Sequence, residues 1–353
     1  MAILDKVFTA QGSPNIAFIK YWGKRDEKLI LPYNSSVSLT LSAGVLRTKT
    51  SMVFSKRLKE DALFIDGQRM AMDDKEIRER LWILEKMRKM AGSGAKVLIV
   101  SRNDFPAASG LASSASGIAT LVYAANSALG LQLSPKELSI IARQGSGSAC
   151  RSMFGGLVVW RRGSKRDGSD SYAEQAFDER HWPELIDIIA VTSQKRKKVS
   201  SRAGMRQTVE TNPLYKSRPA AAEARLRKTI RAYGKRDFGA LAEQIMADSN
   251  EMHALMLSTR PSIRYLNPAS FEIMDAVEAL NLGKGRNVAA YTFDAGPNAQ
   301  IITLRKHQKE VLSALAALRK EGKIIEIKIS GAGSGPMRLE GESLIDEERL
   351  IPK

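Results

Sequence analysis

The chain has 353 residues, 43% of them hydrophobic and 26% charged, with 55 basic against 38 acidic side chains and a formal charge of +17. That composition suits a globular protein of two modest domains or one large one. No apolar run approaches the roughly 20 residues needed to span a bilayer, and the first residues lack a basic segment leading into an apolar core, so a cytoplasmic protein is expected. A single cysteine, Cys150, excludes an intrachain disulfide or a cysteine-held metal, and three scattered histidines argue against a histidine-rich one. The basic runs RRGSKR (161–166) and KRKK (195–198) read either as solvated surface or as a footprint for a polyanion. Neither contains an aromatic residue for base stacking, and charge alone leaves the partner open; nucleic acid is not the expected partner because it would leave the motif segments below unexplained.

The first informative stretch is SPNIAFIKYWGKRDEKLILPYNSSVSLTLS (13–42), where Lys20, Lys24 and Arg25 crowd Tyr21 and Trp22. Lysines beside aromatics in a strand-like run are more often functional than lone surface lysines, although cation–π decoration gives the same pattern. TKTSMVFS (48–55), ALFIDG (62–67) and KVLIVS (96–101) read as strands, and KEIRERLWILEKMRKM (75–90) has helical apolar spacing. Next comes DFPAASGLASSASG (104–117), a small-residue corner between that third strand and a helix over 118–129. Backbone N–H groups in such a turn, running into a helix N-terminus, form an anion nest. Ser109, Ser113, Ser114 and Ser116 add hydroxyls. There is no G-K-[ST] sequence, so this is not a Walker A loop, and a tight structural turn explains the composition equally well.

A second helix begins at Pro135 behind a capping Ser134. RQGSGSACRSMFGG (143–156) then alternates glycine and serine around Arg151. That pattern suits recognition of a carboxylate or phosphate, or simply ends the helix with Gly145 at C′. After a strand over 155–163 and a polar loop over 163–171, LIDIIAVTS (185–193) opens a second unit. Helices over 220–234, 237–257 and 267–281 and strands over 288–293 and 323–330 complete it. In AYTFDAGPNAQ (290–300), Asp294 ends a strand before a Gly-Pro turn, as a turn cap or as an acid–base group in a partly dry site. KISGAGSGPM (328–337) is a further strand running into a glycine turn. Strands and helices mix without strict alternation, so the expected class is α+β, with domains over 1–184 and 185–353 and the final strand returning to the domain interface.

NIAFIKYWGKRD, PYNSSVSLTLS, FPAASGLASSASG, GSGSACRSMFGG, SSRAGMRQTVETNP and YTFDAGPNA, in order along nearly the whole chain, closely resemble the diphosphomevalonate decarboxylases. These are relatives of galactokinase, homoserine kinase, mevalonate kinase and phosphomevalonate kinase. The resemblance implies an N-terminal domain like the second domain of ribosomal protein S5, a ferredoxin-like C-terminal domain, and an active site in the cleft between them. It implies that ATP and Mg²⁺ phosphorylate the 3-hydroxyl of mevalonate 5-diphosphate, and that loss of phosphate and CO₂ gives isopentenyl diphosphate. Asp294 matches the residue that orients or deprotonates the hydroxyl, Lys20 its neighbour, Arg151 the holder of the substrate carboxylate and Asn15 the partner of that arginine. Tyr21, Lys24, Ser146, Ser148 and Arg202 match the grip on the 5-diphosphate. Ser114 matches the functional serine of the ATP phosphate loop, with Asn103, Ser109, Gly110 and Ser113 as further nucleotide contacts and Mg²⁺ arriving with ATP near Ser114. A homodimer is implied as well. The corner departs from the common PTAAGLASS by Ala107 and Ser109. Relatives also decarboxylate mevalonate 5-phosphate with ATP, or mevalonate 3,5-bisphosphate without it, and these are the alternative substrates.

Overall fold

Three sheets organise the chain in the computed structural model, which describes residues 3–105, 113–195 and 197–353. The largest runs, in spatial order, Met337–Leu339, Phe8–Gly12, Thr48–Ser55, Lys96–Asn103, Ala62–Ile65 and Gln68–Arg69. Its pairings are antiparallel except that of Ala62–Ile65 with Lys96–Asn103. A parallel neighbour needs a long crossover, and helix Lys75–Met90 supplies it, started by Asp74, whose side chain accepts from the Glu76 and Ile77 amides. The stripe Ile83, Leu84 and Met87 buries against Ile118, Val122 and Ala125 of helix Ser113–Ala128 and Ile141 of helix Pro135–Gly145. The latter helix carries the capping box that Ser134 foreshadowed, closed by Glu137.

The second sheet orders Ala173–Phe177, Leu157–Trp160, Ser36–Thr40 and Asn15–Ile19, and the third orders Ala289–Phe293, Ala299–Leu304, Leu185–Val191 and Glu326–Gly331. Helices Arg218–Gly234 and Phe238–Ser258 share one core with both. Ile16, Phe18, Val37 and Leu39 meet Leu226, Leu241 and Ile245, which meet Ile189, Ala290 and Ile302. The other face of the third sheet, through Ile186, Ile188 and Tyr291, is covered by Ile273 and Val277 of helix Pro268–Gly283.

The α+β mixture is as expected from the sequence, and the long helices start and stop within a few residues of their predicted bounds. Helix Ser113–Ala128 is the exception, beginning five residues earlier than the apolar periodicity indicated. Its first turn is serine and alanine, which a helix accepts but which carry no periodic signal. Helix Ser201–Thr211 went unpredicted because Met205 and Val209 are its only large apolar residues. Strand Ala299–Leu304 also went unseen, as did Ala173–Phe177.

The glycine turn after Glu326–Gly331 has a packing explanation. Gly333 donates its N–H to Thr40 O at 2.8 Å and accepts from Gly156 at 2.9 Å, and a Cβ there would lie 2.2 Å from Leu41 O. Only glycine lets these backbones meet. The chain crosses here from the third sheet to pair Met337–Leu339 with Phe8–Gly12.

His253, on helix Phe238–Ser258, is 6% exposed and its Nε2 has no hydrogen-bond partner among the described residues. Burial, reinforced by the Lys20 ammonium and opposed by Asp294 and the Phe293 and Asp294 backbone, pulls its pKa from 6.5 down to about 4. The unfolded chain therefore takes up this proton before the folded one does. The resulting stability is complete above pH 6.5 and is lost as pH falls towards 4. Urea unfolding at pH 7.5 and pH 5 should show the wild type losing about 2 kcal/mol more than His253→Gln. Equal losses in the two proteins would remove His253 from the acid response.

Candidate active site

A cleft of about 810 Å³ lies where residues 17–24, the turn around Gly147 and the start of helix Ser201–Thr211 meet the end of strand Ala289–Phe293. Among its described lining residues, six are basic (Lys20, Lys24, Arg151, Lys197, Lys198 and Arg202) and two are acidic (Glu76 and Asp294). A concave site with that balance concentrates anions.

Lys20 follows strand Asn15–Ile19 and Asp294 follows strand Ala289–Phe293, so each strand delivers its charge at its end. Lys20 Nζ donates to Asp294 Oδ1 at 2.7 Å; the lysine side chain is 2% exposed and the aspartate 31%. The carboxylate is thus fixed from behind and open in front.

Arg151 sits on the 3₁₀ turn Gly147–Met153 and is 3% exposed. Its Nε donates to Ser38 Oγ at 2.9 Å and Asn15 Oδ1 at 3.2 Å, and its Nη1 to Ser36 Oγ at 2.6 Å. Asn15 is held in turn by donating to Ser152 Oγ at 2.8 Å and Ser148 O at 3.2 Å. No carboxylate pairs with Arg151 among the described residues, and burial lowers its pKa. A buried cation that lines a cleft and is fixed only by neutral groups is suited to receive an anion there.

Tyr21 presents a second unfilled group: its hydroxyl is sealed and has no partner among the described residues. Its ring stands edge-on to Trp160 at 4.7 Å. Gly147 makes room for both, since a Cβ there would lie 2.6 Å from Tyr21 Cε1 and 3.1 Å from Trp160 Cη2. Lys24 is buried and paired with Glu27, with desolvation pulling its pKa down. Arg202 reaches across to Glu79 Oε2 at 3.0 Å and Gly145 O at 2.8 Å. Ser146 and Ser148 line the same wall, as does Ser114 from the first turn of its helix.

Not every predicted residue is brought to the cleft. Ser109 and Gly110 lie outside the described residues, as does Ala107, while Ser113 opens its helix. Asn103 is held by Asp66, which accepts its amide N–H at 2.8 Å, and by Thr48, which donates to its Oδ1 at 2.8 Å; it is not among the described lining. Conversely, Lys197, Lys198, Ser200 and Ser201 line the cleft, although the lysines were named only within the KRKK run and the serines only within a motif segment. Lys197 Nζ donates to Ser201 Oγ at 2.9 Å and Ala295 O at 3.2 Å, so part of the KRKK run is wall rather than solvated surface. Ser200 caps the helix by accepting from the Ala203 amide at 3.2 Å, a signal legible in the serine pair before Arg202. Cys150 is inert by position: burial pushes its thiol up to about 12, and its S–H donates to Gly147 O at 3.0 Å.

A family model described as "Diphosphomevalonate decarboxylase-like N-terminal domain" matches residues 12–173, and one described as "Mevalonate 5-diphosphate decarboxylase C-terminal domain" matches residues 187–346. Human diphosphomevalonate decarboxylase is 42% identical over 319 residues, covering 87% of this chain and 79% of the human one. The structure of mevalonate diphosphate decarboxylase from Trypanosoma brucei superposes with a TM-score of 0.88 at 37% identity, covering 97% of this chain and all of that one. A structure of MDDEF in complex with MVAPP, AMPPCP and magnesium has a TM-score of 0.84 at 36% identity, covering 95% of this chain and 99% of that one. The chain therefore belongs to the diphosphomevalonate decarboxylase family.

Proposed function

We propose that this chain converts mevalonate 5-diphosphate to isopentenyl diphosphate, using ATP with Mg²⁺ to phosphorylate the 3-hydroxyl before phosphate and CO₂ leave. The observation that carries the reading is the convergence on one cleft of the Lys20–Asp294 pair and the unpaired, buried Arg151. A substrate bearing a diphosphate, a tertiary hydroxyl and a carboxylate answers each of these groups.

In this reading Asp294 accepts the hydroxyl proton as O3 takes the phosphoryl group, and Lys20 holds the carboxylate aimed. ATP supplies the phosphoryl group, with Mg²⁺ neutralising its charge. Ser114 and Asp294 bring to the cleft the hard oxygen donors that Mg²⁺ takes, so the residues present fit the ion. Arg151, aligned by Asn15, Ser36 and Ser38, holds the substrate carboxylate as a guanidinium fork does. The C3–O bond then breaks with phosphate departing, and the C1–C2 electron pair becomes the C2=C3 double bond as CO₂ leaves. Tyr21, Lys24, Ser146, Ser148 and Arg202 grip the diphosphate, joined by Lys197, Lys198 and the N-terminus of helix Ser201–Thr211. Asn103, Ser109, Gly110 and Ser113 remain part of the proposed nucleotide contact. Most of the catalysis is positioning and charge stabilisation. The family likeness also leads us to propose a homodimer in the cytoplasm; among the described residues no helix is long and apolar enough to cross a membrane.

Incubation with mevalonate 5-diphosphate, mevalonate 5-phosphate or mevalonate 3,5-bisphosphate, each with and without Mg-ATP, should release CO₂ from the diphosphate alone, with one ADP per CO₂. Release without ATP, or from the 3,5-bisphosphate alone, would overturn the reading. Asp294→Asn should lower kcat by about 10³-fold while circular dichroism stays unchanged; near-normal turnover would remove Asp294 from the chemistry. Gly147→Ala, by pushing on Tyr21, should raise KM for the diphosphate by about 10-fold with a smaller change in kcat. An unchanged KM would separate Tyr21 from the diphosphate grip.

A further inference from the structure

Lys20 is held at its backbone as well as at its ammonium group. Its N–H donates to Asp248 Oδ2 at 2.7 Å, and its C=O accepts from Arg218 Nη2 at 3.2 Å and Asn34 Nδ2 at 3.1 Å. Arg218 and Asp248 are themselves joined end-on, Nη1 to Oδ1 at 2.7 Å and Nη2 to Oδ2 at 2.9 Å. Both side chains are 0% exposed. One buried ion pair therefore meets the two peptide groups on either side of the Lys20 Cα.

The parts come from distant segments. Arg218 opens helix Arg218–Gly234, Asp248 lies in the middle of helix Phe238–Ser258, and Lys20 extends strand Asn15–Ile19. Outside the pair, Glu251 accepts from Arg218 Nη1 at 3.1 Å and also pairs with Arg225. This outer ion pair keeps the cluster electrically balanced at two cations and two anions, and none of the four is among the described lining of the cleft. Two buried charges are an expensive way to hold a strand in a core that is otherwise apolar, since well-packed hydrophobic residues of the same volume do as well or better. Apolar residues cannot do one thing this pair does, which is to fix a peptide N–H and C=O by directional bonds.

We infer that the Arg218–Asp248 pair is a positioning device for Lys20, setting where its ammonium, and through it the Asp294 carboxylate, stands in the cleft. The inference rests on the proposed reaction only in taking Lys20 and Asp294 as its centre. A displacement of about 1 Å at such a pair is enough to cost on the order of 10²-fold in rate. Substrate binding is spread over other cleft residues and should be little affected.

The test separates a positioning role from simple stabilisation. The double variant Arg218→Met/Asp248→Leu removes both buried charges together, leaves Arg225 and Glu251 to pair with each other, and deprives the Lys20 N–H of its acceptor. It is expected to fold, with a thermal midpoint within a few degrees of the wild type. Its kcat is expected to fall by about 30- to 100-fold, with KM for the diphosphate and for ATP each changed less than about threefold. Hydrogen exchange at the Lys20 amide should accelerate in the same protein. A folded double variant with kcat within threefold of wild type, or with an unchanged Lys20 exchange rate, overturns the inference. Should the double variant fail to fold, Asp248→Asn decides: it keeps an oxygen near the Lys20 N–H but weakens the fork, and must lower kcat about 10-fold at unchanged KM. Wild-type protein that releases no CO₂ from the diphosphate would sink the functional reading, an outcome distinct from either of these because the exchange measurement still reports on the clamp.

Discussion

A cation buried away from water must be met by an anion or by several oriented dipoles, because the cost of stripping its hydration is otherwise several kcal/mol. Among the described residues six cations are buried, and they are answered in different ways: Lys24 by Glu27 and Arg88 by Asp61. Arg218 is answered by Asp248, and Lys20 by Asp294. Arg143 is answered by the carbonyls of Leu29, Gly168 and Ser171. Arg151 is met by two serine hydroxyls and an asparagine oxygen, and, like Arg143, has no carboxylate opposite among the described residues. Arg143 and Arg218 lie outside the described lining of the cleft, whereas Arg151 is part of it and is the guanidinium proposed to take a substrate anion. The difference between these arginines thus lies in position.

The same constraint explains why the cleft sits where three sheets come together. Lys20 and Arg151 belong to the first half of the sequence and Asp294 to the second, so the site exists only when both halves are docked. Docking is secured by the core shared by helices Arg218–Gly234 and Phe238–Ser258 and by the glycine crossing at Gly333. Neither feature touches the cleft, yet both fix the distance between strand ends that carry opposite charges. Strand ends serve this purpose well because the backbone up to that point is held by its ladder, while the next residue can turn towards the cleft.

Much of this was legible in the sequence, and the boundary of legibility is physical. Lys20, Tyr21, Arg151 and Asp294 each stood beside a local oddity: aromatics flanked by lysines, serine and glycine around an arginine, a carboxylate ending an apolar strand. Local signals of that kind survive without a structure. Lys197 and Lys198 were hidden because a run of four basic residues looks the same whether it faces bulk water or bends into a cleft. Helix Ser201–Thr211 was hidden because it buries glycine and threonine, Gly204 and Thr208, in place of a leucine stripe. Arg218 and Asp248 were invisible for a different reason. They lie 30 residues apart on helices with unexceptional patterns, and only tertiary contact shows that they point at the two peptide groups flanking the Lys20 Cα. In the glycine turn after strand Glu326–Gly331, Gly333 and Gly335 are explained by close backbone crossing.

The formal charge of +17 divides along the same line. Within the cleft, six basic residues outnumber two acidic ones, a local excess that three anionic groups on two substrates would offset. The run over 161–166 behaves otherwise. Arg161 pairs with Glu174 and Arg162 with Glu223, while Asp170 caps the loop by accepting from the Ser164 and Lys165 amides at 2.7 and 3.1 Å. That segment is a folded, partly neutralised loop, and nothing in it is left buried and unanswered. Surface cations of this kind contribute little to stability individually, but their summed field extends about a Debye length into solvent and favours the approach of polyanions. The excess charge therefore acts at two ranges: a diffuse field that draws anionic substrates towards the protein, and a few buried cations whose geometry decides what happens to them once they arrive.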